Sequence, residues 1–241
     1  IRQRLLERGV PSSQVITIPN GANTDLYTPQ PPNRELRRRW NIPEDQFVVI
    51  YTGLHGLVHG LETALQAANR LRDHPDILFL LVGDGPQKPA LVDMARELNL
   101  PNLRFHDAVP EIDLPETIGL ADVGLHTSRR LPISQGALPV KMFSYMACER
   151  PVLLSIEGEA VEVLEAAQAG VAVPPEDPDA LAQAILSLQA DPTARQCYAR
   201  NGRAFVEAHY SRQAQASQLE KLLRSLVQNK GNKSTANISP Y

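Results

Sequence analysis

The chain of 241 residues is 43% hydrophobic and 21% charged, with a net charge of −3 at pH 7. Such a composition buries a sizeable core; it excludes a wholly disordered chain and gives no basic field to hold nucleic acid. Its two cysteines, Cys148 and Cys197, have no ligand-type spacing, which excludes a disulfide scaffold and a structural zinc and suits a reducing compartment.

The chain opens at Ile1 in what reads as the tail of a helix (IRQRLLERGV), so we expect a piece of a longer protein, with 1–13 the end of a preceding domain and its linker. Aliphatic and β-branched runs then predict strands at Val15–Ile18, Phe47–Thr52, Ile77–Val82, Leu103–Phe105, Val123–His126, Val152–Ser155 and Gly170–Val173. The longest wholly apolar run of the chain, Ile77–Val82, is far too short to cross a bilayer. Between the strands, apolar residues recur three and four apart: Leu61, Ala64, Leu65, Ala68 and Leu71; Leu91, Met94, Ala95 and Leu98; Leu138, Met142, Tyr145 and Met146. Each stripe gives a helix one apolar face to lay on a sheet. Buried strands alternating with one-faced helices predict an α/β, Rossmann-like fold: a mostly parallel sheet with helices on both faces and right-handed crossovers. Three helical stretches follow, near Asp179–Gln189, Pro192–Ala208 and Arg212–Gln228. The expected organisation is one domain over 14–210, a C-terminal helix over 211–228 that needs something to pack on, and a polar, aperiodic tail over 229–241 that reads as disordered.

In a doubly wound sheet, ligands bind beyond the carboxyl ends of the strands, so the loops there carry the chemistry. The first reads Gly53-Leu-His-Gly-Leu-Val-His-Gly60 and runs into a helix. Its glycines allow close backbone approach and a helix N-terminus favours an anion, so it is either a phosphate site or a plain chain reversal. No GK[ST] follows, so it is not a Walker A loop. The second, Gly83-Asp-Gly-Pro-Gln-Lys88, starts like a dinucleotide fingerprint but has Lys88 at its third glycine position, and reads better as a tight turn into a helix. A long loop from Thr127 to Leu138 contains Arg129 and Arg130, and the helix after it puts Lys141 and Ser144 on one face. That ammonium and hydroxyl suit a diphosphate and a sugar hydroxyl, or lie in solvent like most such residues. The histidines are scattered, and no carboxylate completes a metal site with His55 and His59.

Taken in order, these segments resemble the C-terminal, donor-binding half of a GT-B fold glycosyltransferase of the large retaining family 4 type. The resemblance runs from about Gln14 to Val227. It rests on VITIPNG (Val15–Gly21) with Asp25, Tyr51-Thr-Gly53 with His59-Gly60, and LVGDGP (Leu81–Pro86). It continues through Phe105–Val109, Ala121-Asp-Val123, PVKMFSYMA (Pro139–Ala147), Pro151-Val-Leu153 and Gly170–Pro174. The GLHGLVHGLETAL and LPVKMFSYMA stretches look most like a bacterial subgroup that builds surface polysaccharides from UDP-linked amino sugars.

The resemblance implies transfer of a sugar from a nucleotide-sugar to a glycan or lipid-linked acceptor, with retention and without a cofactor or metal. It implies a cytoplasmic protein, brought to the inner face of the plasma membrane where its acceptor is lipid-linked. The acceptor site and catalytic residue would belong to an N-terminal half not in this chain. That half would be a partner, with residues 1–10 as its last helix and Arg212–Gln228 crossing back onto it. Residue by residue, Gly53, His55, Gly56, His59 and Gly60 are expected at the diphosphate. Lys141 and Ser144 are expected at the ribose and diphosphate, Val109 and Pro110 at the base, and Arg129 as added positive charge. The chain departs from the common pattern at Leu54 and His59, where an arginine and a lysine are usual. It departs again at Gly136 and Ser144, where glutamates are usual, and at Glu149, where glycine is. Those departures keep open a degenerate, non-catalytic module used for structure or partner binding. A nucleotide-sugar epimerase of the same architecture is a further alternative, and a dehydrogenase fits least.

Overall fold

The computed structural model describes residues 2–234, with side chains to Val227. In chain order the helices are α1 (Arg2–Glu7), α2 (Arg34–Arg39), α3 (Glu62–Arg70), α4 (Lys88–Glu97), α5 (Leu114–Gly119), α6 (Val140–Ala147), α7 (Glu159–Ala167), α8 (Pro178–Ala190), α9 (Pro192–His209) and α10 (Arg212–Ser234). The strands are β1 (Phe47–Thr52), β2 (Ile77–Val82), β3 (Leu103–His106), β4 (Val123–Thr127), β5 (Val152–Ser155) and β6 (Gly170–Val173). They form one parallel sheet in the order β3-β2-β1-β4-β5-β6. The order reverses between β1 and β4, which opens a crevice at their carboxyl ends.

The interior strands β1 and β2 are buried along their whole length, which is why they read as unbroken apolar runs. Alternate residues point to opposite faces. Val48 and Ile50 join Phe143, Tyr145 and Met146 of α6 in one core, and Val49 and Tyr51 join Ala64, Leu65 and Ala68 of α3 in the other. The Rossmann-like α/β architecture is therefore as expected.

The strand expected at Val15–Ile18 does not form. Val15 has extended dihedrals, but the segment lies beside α1 and the approach to α6 and finds no ladder partner among the described residues. Its β-branched composition sets a backbone preference; a strand also needs a neighbour. Helix α10 runs on to Ser234, past the expected boundary at 228, since each added residue gains one hydrogen bond once a helix is nucleated. The rest of the expected tail, 235–241, lies outside the described residues. Leu219, Leu223, Leu226 and Val227 on α10 are exposed. Among the described residues no helix is long and apolar enough to cross a membrane.

One long-range tie positions the site. Ala22 and Ser211 form an isolated parallel bridge, with Ala22 N–H donating to Tyr210 O at 2.9 Å and Arg212 N–H to Ala22 O at 2.8 Å. Arg203 reinforces it, donating to the carbonyls of Tyr27 and Ala147 at 2.6 Å each. The start of α10 and residues 21–27 are thereby held against α6.

Candidate functional site

A cavity of about 550 Å³ opens at the carboxyl ends of β1 and β2 and the N-terminus of α6. Gly53 lines it, as do Gly83 and Asp84 from the loop after β2, Val109 after β3, and Lys141 and Ser144 on α6. Two glycine-rich loops make its floor by backbone contact. At Gly83 (φ +148°) a Cβ would lie 1.9 Å from the Gly53 carbonyl oxygen, so no side chain fits. The loops are pinned further by His55 N–H to Asp84 O at 2.8 Å and Gln87 N–H to His55 O at 3.0 Å.

Lys141 is the unusual residue. Its Nζ is buried with no hydrogen-bond partner and sits 3.5 Å from the centroid of the Tyr51 ring. A Cβ on Gly53 would lie 3.3 Å from that nitrogen, so glycine at 53 leaves the ammonium open to the loop. Burial holds the lysine well below its usual pKa range. Helix α6 begins with no side-chain cap after Pro139, so its first N–H groups add partial positive charge at the same place. An ammonium and a helix N-terminus, both without counter-charge, suit an anion.

Beneath the loop lies a group of buried histidines. His55 is fully buried, its ring 5.8 Å from Tyr51 and 6.1 Å from Phe105, and neither ring nitrogen has a partner. The His59 ring lies 6.0 Å from that of His126. Burial, aided by the positive charges of Lys88 and Lys141, pushes the His55 pKa down to about 4. Burial and Lys141 do the same to His59, also to about 4, so both rings are neutral near pH 7.

The expected site residues thus separate into those at the cavity wall and those behind it. Gly53, Val109, Lys141 and Ser144 line the cavity. His55, Gly56, His59 and Gly60 form the loop behind it; a Cβ on Gly60 would meet Arg129 Cγ at 3.1 Å, away from the opening. Pro110 caps the short 3₁₀ turn Glu111–Asp113 beside Val109. Arg129 is engaged elsewhere: its Nε donates to Leu57 O at 2.9 Å and its Nη2 to Glu62 Oε1 at 2.8 Å. Arg130 pairs with Glu157 at 3.0 Å. Gly136 lines a different cavity, with Val15–Asn20 and α1. In the second loop Lys88 is structural, its Nζ donating to Gly83 O at 2.9 Å and Asp107 Oδ1 at 2.6 Å.

Sequence reading missed Tyr27, Glu111 and Arg212, which also line the cavity. Tyr27 follows Asp25 in the N-terminal segment, Glu111 follows Pro110, and Arg212 opens α10. The Ala22–Ser211 bridge and the Arg203 contacts bring the first and third together, and no local pattern encodes them.

The chain was compared with known proteins. The family model described as glycosyl transferases group 1 matches residues 32–205. A putative colanic acid biosynthesis glycosyl transferase of Escherichia coli K12, WcaI, is 29% identical over 165 residues, covering 68% of this chain and 38% of that protein. The sucrose-phosphate synthase structure from Thermosynechococcus elongatus superposes with a TM-score of 0.78 at 28% identity, over 94% of this chain and 56% of that one. HepE from Anabaena, solved in complex with UDP and with UDP-glucose, shares the fold; the UDP-glucose complex gives a TM-score of 0.80 at 22% identity, covering 93% of this chain and 61% of that one. The chain spans less than two thirds of the length of the curated relatives it matches. With a family match over most of its length and the same parallel sheet, the chain belongs to the glycosyl transferases group 1 family.

Proposed function

We propose that this chain is the donor-binding half of a retaining family 4 glycosyltransferase, taking the diphosphate of a nucleotide-sugar into the cavity at Gly53 and Lys141. One observation carries this reading: a buried, unpartnered ammonium faces a glycine loop at the N-terminus of α6. Loss of the sugar leaves negative charge on the departing diphosphate, and preorganised positive charge there stabilises the transition state more than the ground state. Lys141 and the α6 N-terminus supply that charge, so the proposal needs no bound metal or cofactor. Val109 and Pro110 would flank the base, and Gly53, Gly56 and Gly60 would shape the loop around the phosphates.

UDP is the favoured nucleotide because a protein of the same fold was solved with UDP-glucose. A glycan or lipid-linked acceptor in surface polysaccharide synthesis accords with the name of the Escherichia coli relative. Such an acceptor places the enzyme in the cytoplasm, at times against the inner membrane face. Residues 1–13 would lead from an acceptor-binding N-terminal half, onto which α10 would return.

A second reading, a module that keeps the fold without catalysis, is favoured by the neutral Leu54 at the loop and by the engagement of Arg129 with Glu62. An epimerase finds no support in the transferase and synthase names of the relatives described above. Thermal-shift and calorimetric titrations with UDP, GDP, ADP, dTDP and NAD separate the first two. Donor binding predicts a selective response to one nucleoside diphosphate, worth about 2.7 kcal/mol at a hundred times its Kd. It also predicts a loss of about 1–3 kcal/mol in Lys141→Ala. No response to any nucleotide sinks the donor reading in favour of the module.

A further inference from the structure

Tyr51 is fully buried near the carboxyl end of β1, and it reaches two walls of the cavity from behind. Its ring centroid lies 3.5 Å from Lys141 Nζ, and its hydroxyl donates to Leu54 O at 2.7 Å. Gly53, Leu54 and Lys141 line the cavity. The strand and the helix that carry the pair are locked together beside it. Four residues beyond Lys141 on α6, the Tyr145 hydroxyl accepts the Thr52 N–H at 2.9 Å. A Cβ on Gly124 would lie 2.3 Å from the Tyr145 ring, so β4 closes on that ring as well. Ring and ammonium therefore meet through fixed elements rather than through a mobile surface contact.

What holds a buried ammonium decides what it can still do. The group has three donors and a full charge. A carboxylate would hold it and cancel the charge, and backbone carbonyls would hold it and occupy the donors. Lys88 is held in both ways, by Gly83 O at 2.9 Å and Asp107 Oδ1 at 2.6 Å. Lys141 Nζ has no hydrogen-bond partner. An aromatic face attracts a cation through its quadrupole, which cancels no charge and leaves the acceptor positions open. Burial also holds the Tyr51 phenol above its usual range, so the ring stays protonated and supplies no phenolate counter-charge. On these grounds we propose that Tyr51 is the positioning residue of this site. Its ring holds the Lys141 ammonium beside Gly53 with the charge unspent, and its hydroxyl holds the loop that follows Gly53. This rests on the reading that the cavity takes a nucleoside diphosphate.

The test is calorimetric titration of UDP and GDP into the unaltered chain, Tyr51→Phe and Tyr51→Leu, with melting temperature as the fold control. The same two substitutions are repeated in a Lys141→Met background. Tyr51→Phe keeps the ring face and is expected to hold affinity within about threefold. Tyr51→Leu removes the face and is expected to bind about tenfold more weakly than Tyr51→Phe, the worth of a desolvated cation–π contact. In the Lys141→Met background that gap between Phe and Leu is expected to close, a result that loss of packing alone would not give. Should Tyr51→Leu fail to fold, fluorinated phenylalanines at position 51 keep the ring's shape and withdraw its charge, and affinity is expected to fall with each added fluorine. Equal affinities for Tyr51→Phe and Tyr51→Leu, a gap that persists without Lys141, or indifference to fluorination overturns the assignment and leaves the donor reading standing. Failure of the unaltered chain to bind either nucleotide overturns both.

Discussion

The Lys141 ammonium stands 3.5 Å from the centroid of the Tyr51 ring, while the Tyr51 hydroxyl donates in its own right to Leu54 O at 2.7 Å. The ring face is the nearest thing to a counter-charge that the buried lysine has, and a cation–π contact offsets only part of the cost of desolvating an ammonium. In the absence of an anion, Lys141 therefore destabilises the fold it belongs to. Lys141→Met keeps an unbranched chain of similar length and removes the charge. Urea unfolding is expected to show the variant about 1–3 kcal/mol more stable, with nucleoside diphosphate affinity lost. A variant less stable than the parent would show that the ring contact outweighs the desolvation.

The buried histidines make the pH dependence specific. An unfolded histidine titrates near 6.5, whereas burial and the charges of Lys88 and Lys141, opposed by Asp84, hold His55 at about 4. Between those values the unfolded chain binds protons that the folded chain refuses, so stability rises with pH across the window and is lost as pH falls from 6.5 toward 4. The fully buried His55 alone is worth up to about 3 kcal/mol of that loss. His59, held down by burial and Lys141, acts in the same direction. Melting temperatures measured from pH 7.5 to 4.5 should fall steeply, and His55→Asn should flatten the curve. An equal slope in the variant would place the loss in other groups.

The contact between the two glycine loops predicts a sharp contrast. Gly83→Ala drives a methyl to 1.9 Å from the Gly53 carbonyl oxygen at φ +148°, and should cost more than about 2 kcal/mol along with nucleotide binding. Gly136→Ala meets no atom within 4 Å and should change stability by less than about 0.5 kcal/mol. Chemical denaturation of the two variants side by side decides it.

Glu149 predicts a gain. It follows α6 at φ +51°, and the bonds Arg150 N–H to Tyr145 O at 2.9 Å and Glu149 N–H to Met146 O at 3.0 Å close a left-handed helix stop there. Glycine takes that conformation without a Cβ penalty, so Glu149→Gly should raise stability by about 0.5–1 kcal/mol. An unchanged midpoint in urea would mean that the glutamate side chain returns as much as its backbone costs.

Much of this was legible in the linear order of residues, and the misses have physical causes. The runs at Phe47–Thr52 and Ile77–Val82 announce central parallel strands because both faces of each are buried. The loops that follow them announce close backbone contact because Gly53, Gly83 and Gly85 all sit at positive φ. Val15–Ile18 had the composition of a strand and lacked a neighbour. Arg129 looked like a free cation until Glu62 and the Leu57 carbonyl took its guanidinium. His55 and His59 looked like groups facing a ligand, and their rings lie behind the loop among Tyr51, Phe105 and His126.

Taken alone, the sequence determined the α/β architecture, the loops that carry chemistry, and the pairing of Lys141 with Ser144 on one helix face. Strand and helix periods and glycine conformations are local properties, readable within a few residues. Tertiary structure decided which charged groups remain without partners. That depends on chance meetings of distant segments: Arg129 with Glu62, and Arg212 with Glu111 through the bridge of Ala22 to Ser211. A charge becomes part of a site by being left uncompensated, and compensation is a property of the folded whole.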